Sequence, residues 1–347
     1  MPRVSLEKID HITKYVLLKC GVDKDSIEII QQTIRFANRR GVATHGVGRL
    51  PLYVKKIQSG TLNPVNCMEQ VSSSGAVAVY DAHNGFGQVA AEWAMKDCLE
   101  RAGTTGIAAV GVRNSHNFGM AGYFGEMAAR QGMAAIIFAN AAPAIAPTGG
   151  AKPLLGTNPL CYAFPGSDTQ PPVILDMATS VAARGKIRLA AKNGEKIPLD
   201  WAMDKNGKPT EDPNEALAGS LFPIGGYKGY GLALFVDMFA GLLTGSAYAG
   251  GVQPLSKTEV PSRNGHLFIT LDVKKFVDEA EYRTRLDILR REILSCGAPG
   301  NVLFPGERGY RETDKNTETV ELPLKQIQEI NKLADTLSVP EHLEIVT

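Results

Sequence analysis

A titratable imidazole and a guanidinium lie four residues apart in the segment Thr44-His45-Gly46-Val47-Gly48-Arg49. The segment predicts the start of a helix, which would place both side chains on one face and within reach of one ligand. There His45 could exchange a proton, and Arg49 could hold a carboxylate through two parallel hydrogen bonds. The structural alternative is a helix capped by Thr44, with His45 on the surface and Arg49 paired with a nearby acid.

A second histidine follows an apolar run. Ile107–Val112 predicts a strand, and Asn114-Ser115-His116-Asn117-Phe118-Gly119 comes directly after it. Open α/β sheets bind their ligands at the carboxyl ends of strands, so His116 is placed to donate a proton to a substrate. The residues leave open the alternative that His116 caps the helix that follows.

Two further segments combine features that suit anions. Gly225-Gly226-Tyr227-Lys228-Gly229-Tyr230-Gly231 opens into the apolar run Leu232–Leu243, which predicts a buried helix. Backbone N–H groups, a helix amino end and one lysine would converge there, although the residue order is not that of a Walker A loop and a structural turn fits equally. Asp176-Met177-Ala178-Thr179-Ser180 follows a predicted strand and offers either a carboxylate at a second strand end or a helix cap.

The segment Gly85-Phe86-Gly87-Gln88-Val89-Ala90 matches the dinucleotide fingerprint G-x-G-x-x-A. The match is incomplete, because three residues separate it from the preceding strand and the next strand does not end in an acidic residue. We therefore expect a turn with close backbone packing here rather than a Rossmann phosphate loop.

The elements that would position these segments follow from periodicity. Apolar residues at helical spacing predict three helices in the first 60 residues, and from Gly75 onward short β-like runs alternate with helical stretches, which is α/β patterning. Seven prolines in residues 141–172 predict a long ordered loop, and Pro323 begins a C-terminal helix. We expect an N-terminal helical domain at 1–75, joined by the C-terminal helix at 312–347, and a cofactor- and substrate-binding α/β domain at 76–311.

Composition narrows the class of partner. The 347 residues carry 37 Lys and Arg against 36 Asp and Glu, so no large field attracts nucleic acid or an anionic membrane. The five cysteines form no Cys-x-x-Cys pair and no zinc or EF-hand pattern occurs, so neither a disulfide framework nor a dedicated metal site is expected. We expect a cytoplasmic protein with a small-molecule partner. A metal hydrolase built from His45, His116 and Asp176 is the alternative.

Five motifs that occur together and in order resemble the type 2 malate/L-lactate dehydrogenase family, which includes malate, L-sulfolactate and ureidoglycolate dehydrogenases and a piperideine/pyrroline-2-carboxylate reductase. The resemblance implies an α/β fold in which a non-Rossmann NAD(P)-binding domain with a mixed sheet packs with an N-terminal helical domain. It also implies an intimate homodimer. The motifs span most of the chain and are Thr44–Pro51, Asn114–Gly119, Gly156–Leu160, Asp176–Ser180 and Gly225–Gly231.

The resemblance implies roles for individual residues. His116 and His45 match the two histidines proposed as acid and base, with His116 favoured as the acid/base, His45 polarising the substrate oxygen, and the reverse assignment left open. Arg49 matches the anchor of the substrate carboxylate. Thr44 stands where the family usually has serine, so the hydroxyl survives for substrate bonding while the added methyl narrows the pocket. The positions that match cofactor contacts are Asn140, Asp176, Met177, Ala178, Lys228, Pro305, Gly306 and Glu307.

The implied activity is the interconversion of a small 2-hydroxy acid and its 2-oxo acid with NAD or NADP. Malate and oxaloacetate, or a lactate-like acid, are the first expectation, with NADH slightly preferred over NADPH. Within the family, the alternative is reduction of a cyclic imino acid, whose protonated imine needs less acid assistance. Outside it, the alternatives are a metal-dependent lyase or hydrolase and a ligand-binding module that has lost catalysis.

Overall fold

The computed structural model describes residues 1–298 and 300–346. Its strands are β1 (Arg3–Ser5), β2 (Glu69–Ser74), β3 (Val77–Asp81), β4 (Ile107–Ser115), β5 (Met133–Ala139), β6 (Leu160–Phe164), β7 (Val173–Met177), β8 (Ala202–Met203), β9 (Ser220–Leu221), β10 (Asn264–Asp272) and β11 (Thr319–Glu321). Its α-helices are α1 (Leu6–Lys19), α2 (Lys24–Arg39), α3 (Leu50–Gln58), α4 (Gly87–Thr105), α5 (Ala121–Arg130), α6 (Arg184–Asn193), α7 (Pro213–Ala218), α8 (Tyr227–Asp237), α9 (Glu279–Ser295), α10 (Glu307–Lys315) and α11 (Leu324–Thr336).

A seven-stranded mixed sheet forms the centre, in the order β2-β3-β4-β10-β5-β6-β7. β3 and β4 are parallel, whereas β10 lies between β4 and β5 and runs antiparallel to both. β6 is likewise antiparallel to β5 and β7. The sheet is therefore not the parallel sheet of a Rossmann domain, and the expected α/β fold with a mixed sheet is confirmed.

Four strands of this sheet end at the same edge. Because each antiparallel neighbour reverses direction, β3, β4, β5 and β7 all point the same way. We call the border formed by their last residues the carboxyl edge, which consists of Asp81, Ser115, Ala139 and Met177. His116, which follows β4, and Asp176, the next-to-last residue of β7, consequently lie along one side of the molecule.

The helices at the two ends of the chain share a hydrophobic core. Ile9, Ile30, Leu50 and Ile330 are all completely buried within it. β1 and β11 pair in antiparallel fashion, which joins the two ends directly. The C-terminal helix predicted from Pro323 is α11, whereas the division at residues 75 and 311 stays a prediction.

The third predicted helix begins later than expected. Residues 47–49 form a single 3₁₀ turn, and the α-helix starts only at Leu50, with Pro51 in its first turn. Proline favours exactly this initial position, and the two glycines before it disfavour a longer helix. Thr44 therefore caps no helix, and His45 lies in a turn rather than on a helical face.

The proline-rich stretch 141–172 is not wholly irregular. It contains β6, which pairs with β5 on one side and β7 on the other. Pro159 and Pro165 flank this strand without interrupting it, so each β6 residue keeps its N–H for pairing. The expectation of a loop without regular structure was wrong at this point because prolines mark the ends of a strand as well as loops.

The helix predicted at Leu232–Leu243 is formed by α8 and a π-helical continuation at Met238–Leu242, but several of its large apolar side chains face outward. Small residues face inward instead: a Cβ on Gly265 would overlap Ala240 O, so the helix lies close against β10. The expectation of a buried helix therefore holds for Val236 and the small residues and was wrong for the large side chains on the outward side. We call the outward stripe the α8 apolar face, formed by Leu232, Phe235, Met238 and Leu242.

Candidate active site

The carboxyl edge gathers most of the segments predicted to bind a cofactor. Ile174 N–H of β7 donates to Pro305 O (3.3 Å), which places the Pro305-Gly306-Glu307 segment beside that strand. Thr179 O accepts from Ile224 N–H (2.9 Å), which brings the glycine-rich loop before α8 against the Asp176–Ser180 segment. Three segments separated by up to about 130 residues in sequence thus lie along β7, with Pro305 beside its second residue and the glycine-rich loop just beyond its last.

The two carboxylate oxygens of Asp176 differ in their contacts. Its Oδ2 accepts the Gly122 N–H (2.8 Å) in the first turn of α5, so the helix-cap alternative holds for this oxygen. Its Oδ1 has no hydrogen-bond partner in the part of the chain that is described. Burial raises the pKa of Asp176, and the Gly122 N–H and the Arg40 charge oppose that rise. Met177 and Ala178 beside it are half-buried.

Lys228 is an unpaired cation at the start of α8. Its side chain is exposed, and no carboxylate of the described residues lies within 4.0 Å of its Nζ. Gly225 and Gly226 precede it with φ of +59° and +64°, a conformation that glycine adopts without strain. A free ammonium beside the amino end of a helix is a favourable place for a phosphate.

The Pro305-Gly306-Glu307 segment is held by its own contacts. Gly306 has φ of +89°, and a Cβ there would lie 3.1 Å from Ile174 O, so only glycine fits. Glu307 accepts the Phe304 N–H (3.0 Å) and pairs with Arg311 (2.7 Å), and these interactions lower its pKa. The Glu307 side chain therefore stabilises the turn rather than pointing freely into the site.

Asn140 lies at the end of β5 with its side chain fully used by the protein. Its Oδ1 accepts the Gly265 N–H (2.9 Å), and its Nδ2 donates to Ala247 O (2.7 Å). Its backbone oxygen accepts from Asn264 Nδ2 (2.7 Å). This residue fixes the segments that border the carboxyl edge, and its predicted contact with a cofactor stays a prediction.

His116 is completely buried, and both of its ring nitrogens are occupied. Nε2 lies 3.0 Å from Thr61 O, and Nδ1 lies 3.0 Å from Ser262 Oγ. A carbonyl oxygen only accepts, so Nε2 carries the proton and Nδ1 accepts from the serine hydroxyl. Burial and the Lys56 charge lower the pKa of His116 to about 4, so the ring is neutral at physiological pH.

His45 differs from His116 in its burial and in the hydrogen bonding of its ring. Its side chain is half-buried, and its Nδ1 is buried without a hydrogen-bond partner among the described residues. Burial and the charge of Arg49 lower the pKa of His45 to about 3. A buried ring nitrogen without a partner is costly, and a ligand that supplied one would be bound favourably.

Arg49 lies next to His45 with no acidic partner. Its Nε donates to Thr44 O, which leaves both terminal Nη atoms free to bind a ligand. Burial lowers the pKa of Arg49, and the charge of Arg188 lowers it further. The alternative in which Arg49 pairs with a nearby acid is not seen within residues 1–298 and 300–346.

The turn that carries His45 also touches α6. A Cβ on Gly185 would lie 3.4 Å from Thr44 Cγ2, so the first turn of α6 packs against Thr44. α6 begins a few residues after the Asp176–Ser180 segment, which connects this turn with the carboxyl edge. Sequence reasoning missed α6, although Arg184 and Arg188 recur in it at helical spacing and were a usable signal.

The buried histidines predict a pH-dependent stability. Burial lowers the pKa of His116 to about 4 and that of His266 to about 3, from an ordinary 6.5. Below pH 6.5 these two histidines are therefore protonated in the unfolded chain, whereas in the folded chain they stay neutral until the pH approaches 4. The free energy of unfolding therefore decreases as the pH is lowered below 6.5, by at most about 1.4 kcal/mol per pH unit for each histidine.

Urea unfolding at about pH 7 and about pH 5 measures this loss, and His266→Phe should reduce it. The matched control is His11→Phe, because His11 lies on the exposed side of α1. Equal unfolding free energies at the two pH values would contradict the prediction.

Metal-ligating side chains do not cluster in the described part of the chain: no group of three or more His, Cys, Asp or Glu residues is placed to hold an ion. No described helix combines the length and the apolar character needed to cross a bilayer. A cavity of about 530 Å³ lies at the opposite border of the sheet, near Gly132, Pro165 and Arg283, and none of the predicted site residues lines it.

Comparison with known proteins now identifies the family. The model of the malate/L-lactate dehydrogenase family matches residues 4–331. A malate/(S)-sulfolactate dehydrogenase of Methanothermus fervidus is 38% identical over 325 residues, 93% of this chain and 95% of the relative. A Delta(1)-pyrroline-2-carboxylate reductase of Ancylobacter novellus is 33% identical over 334 residues, 95% and 97% of the two chains.

Solved structures agree with this result. The sulfolactate dehydrogenase from Methanocaldococcus jannaschii superposes with a TM-score of 0.91 at 34% identity, covering 97% of this chain and 98% of the other. Malate dehydrogenase from Entamoeba histolytica has a TM-score of 0.91 at 33% identity with the same coverage. The chain belongs to the malate/L-lactate dehydrogenase family.

Proposed function

We propose that this chain is an NAD(P)-dependent oxidoreductase that interconverts a small 2-hydroxy acid and its 2-oxo acid, with malate and oxaloacetate or a lactate-like acid as the pair. Family membership and relatives named for malate and sulfolactate support this reaction class. The observation that carries it is that, among the described residues, His45 Nδ1 has no hydrogen-bond partner and the neighbouring Arg49 has no carboxylate partner.

Arg49 would hold the carboxylate of the substrate. Its Nε is already bound to Thr44 O, so the two Nη atoms are the donors that remain. A guanidinium presents such donors in a fixed plane that matches the two oxygens of a carboxylate. The carboxylate would orient the adjacent carbon toward His45, and the Thr44 side chain would border the same space.

His45 would exchange the proton at the substrate oxygen. In the free protein burial, together with the charge of Arg49, lowers the pKa of His45 to about 3. A bound carboxylate offsets the charge of Arg49, so the part of the lowering that comes from this charge is removed and the pKa of His45 rises when substrate is present. The ring can then donate a proton to the oxygen during reduction and remove it during oxidation.

His116 takes a positioning role in this proposal. The sequence favours His116 as the acid/base and leaves the reverse assignment open. Both ring nitrogens of His116 are occupied by Thr61 O and Ser262 Oγ, whereas His45 Nδ1 has no described partner. The geometry therefore supports the reverse assignment, with His45 as the acid/base and His116 holding together the segments beside the carboxyl edge.

The residues on the carboxyl edge fit a dinucleotide. Lys228 and the amino end of α8 suit its phosphates, and the free Oδ1 of Asp176 suits a hydroxyl or amide donor. Met177, Ala178 and the turn at Gly306 would form the walls. The nicotinamide supplies the hydride when it is bound, and NADH is our first choice over NADPH.

The reaction class is tested by absorbance at the reduced-nicotinamide band. NADH and NADPH are supplied separately with oxaloacetate, pyruvate, other 2-oxo acids and cyclic imino acids. Rapid oxidation with a 2-oxo acid supports the proposal, and activity confined to imino acids would favour the reductase named among the relatives. If folded protein oxidises neither cofactor with any of these substrates, the proposal is contradicted. Inhibition of any turnover by a chelator would indicate metal chemistry.

We further propose a homodimer, as the resemblance implies. The α8 apolar face supports it, because Phe235 is 58% exposed and lies among other exposed apolar side chains. Such a contiguous apolar surface is typical of a protein interface.

Light scattering should therefore give twice 37.2 kDa for the native chain and 37.2 kDa for Phe235→Glu. The matched control is Phe276→Glu, since Phe276 is 69% exposed and lies outside this face. A native mass of 37.2 kDa would contradict the dimer.

A further inference from the structure

Two arginines on α6 lie beside the His45 and Arg49 pair. Arg184 and Arg188 are one helical turn apart and therefore on the same side of α6. Gly185, next to Arg184, packs against Thr44 of the turn that carries His45. Arg188 is near enough to Arg49 and to Arg184 for its charge to lower the pKa of each.

The three guanidiniums differ in what already binds them. Arg184 is fixed by backbone carbonyls, with Nη1 donating to Pro143 O (3.3 Å) and Nη2 to Leu217 O (2.8 Å). Arg49 is held by Thr44 O. Arg188 is exposed, and its side chain makes no hydrogen bond or ion pair with any described residue. It is therefore the one cation of this group whose donors are all free.

Three like charges without a counter-ion repel one another, and the repulsion is relieved by a bound anion. One carboxylate satisfies Arg49 and leaves the charge of Arg188 uncompensated. An anion with a second acidic group, attached to the far side of the reacting carbon, would compensate both. The charge distribution thus favours a dianionic ligand over a monoanionic one such as pyruvate.

We infer that Arg188 is a specificity-determining residue that binds the second acidic group of the substrate, a carboxylate or a sulfonate, while Arg49 binds the carboxylate next to the reacting carbon. The inference rests on the proposed function, because it names the substrate class of the same site. Arg184, anchored by two carbonyls, keeps the start of α6 in place and adds positive charge.

The substitution Arg188→Gln tests this role through its effect on the preference for a dianionic over a monoanionic substrate. The ratio of kcat/KM for oxaloacetate to that for pyruvate is expected to fall by about tenfold to hundredfold, the range for losing one charge-assisted hydrogen bond, with most of the change in KM. Arg188→Lys should restore part of the ratio. The matched control is Lys192→Gln, which removes one charge from the exposed end of α6 and should keep the ratio. Sulfopyruvate in place of oxaloacetate shows whether a sulfonate or a carboxylate is preferred.

A binding experiment tests this inference independently of catalysis. Calorimetry compares succinate, which has two carboxylates, with butyrate, which has one, on the native protein and on Arg188→Gln. Tighter binding of succinate that disappears in the variant supports the inference even if no 2-oxo acid is turned over, in which case only the proposed function fails. An unchanged kcat/KM ratio in Arg188→Gln, or equal binding of succinate and butyrate by the native protein, would overturn it.

Discussion

Replacing His45 by asparagine lowers turnover of the 2-oxo acid by ~10²- to ~10⁴-fold, the usual contribution of one general acid, while the dissociation constant for NADH changes by less than about twofold. Asparagine keeps a polar side chain of similar size but cannot release a proton to the substrate oxygen. His45 lies in the same turn as Thr44 and beside Arg49, and none of the positions expected to contact the cofactor belongs to this turn, so we expect cofactor binding to be retained.

The comparison variant is His116→Asn. His116 is buried and bonded to Thr61 O and Ser262 Oγ, so its loss should lower the free energy of unfolding and reduce turnover less than His45→Asn does. Single-turnover kinetics and urea unfolding on the same preparations separate the two effects. If His116→Asn removed turnover with unchanged stability while His45→Asn stayed active, the roles would be reversed and the sequence preference restored.

Arg49→Lys raises the KM for the 2-oxo acid by about tenfold to hundredfold, with kcat altered by less than about threefold. Lysine keeps a positive charge but loses the planar pair of donors that matches a carboxylate. Burial and the charge of Arg188 lower the pKa of Arg49, and the same surroundings would make a lysine ammonium easier to neutralise. Initial rates over a wide range of substrate concentration give KM and kcat separately.

Arg35→Lys is the matched control for this substitution. Arg35 pairs with Asp10 and is exposed away from the site, so the same chemical change there should leave both constants as they are. A change confined to kcat in Arg49→Lys would show that Arg49 acts on the chemical step and does not anchor the carboxylate.

Local signals in the sequence predicted much of the fold. Ser5 begins α1 as its cap, accepting the Lys8 N–H (3.5 Å), and Gly21 follows its end with φ of +77°. The incomplete dinucleotide fingerprint was correctly interpreted as close packing, since a Cβ on Gly87 would overlap His116 O. Capping residues and glycines act through their immediate neighbours, which is why the sequence shows their effect directly.

The partners of a residue were harder to predict than its element. His45 and Arg49 lie together as expected, but a turn and a 3₁₀ segment bring them together instead of an α-helical face. The two groups that occupy the His116 ring come from residues 61 and 262. Contacts over such distances in sequence depend on how elements pack, and periodicity contains no information about that.

The position of β10 in the sheet likewise could not be predicted from local sequence signals. The apolar run Leu267–Leu271 is typical of a strand, but nothing local indicates that it inserts between β4 and β5 and so makes the sheet mixed. Likewise, α6 brings Arg188 beside Arg49 only because Gly185 packs against Thr44. The positions implied by the family resemblance named the expected binding residues, whereas the structure shows which of their atoms remain free to act.

Transfer of deuterium from the cofactor to the substrate tests whether this protein catalyses hydride transfer to a 2-oxo acid. The native protein is mixed with oxaloacetate and a reduced nicotinamide cofactor that carries deuterium at both C4 positions, and the product acid is analysed by mass spectrometry and proton NMR. We expect one deuterium on C2 of the 2-hydroxy acid, delivered as hydride from the cofactor, while the hydroxyl proton comes from His45 and exchanges with water. A product without deuterium at C2, or no product from folded protein with any 2-oxo acid, would contradict it.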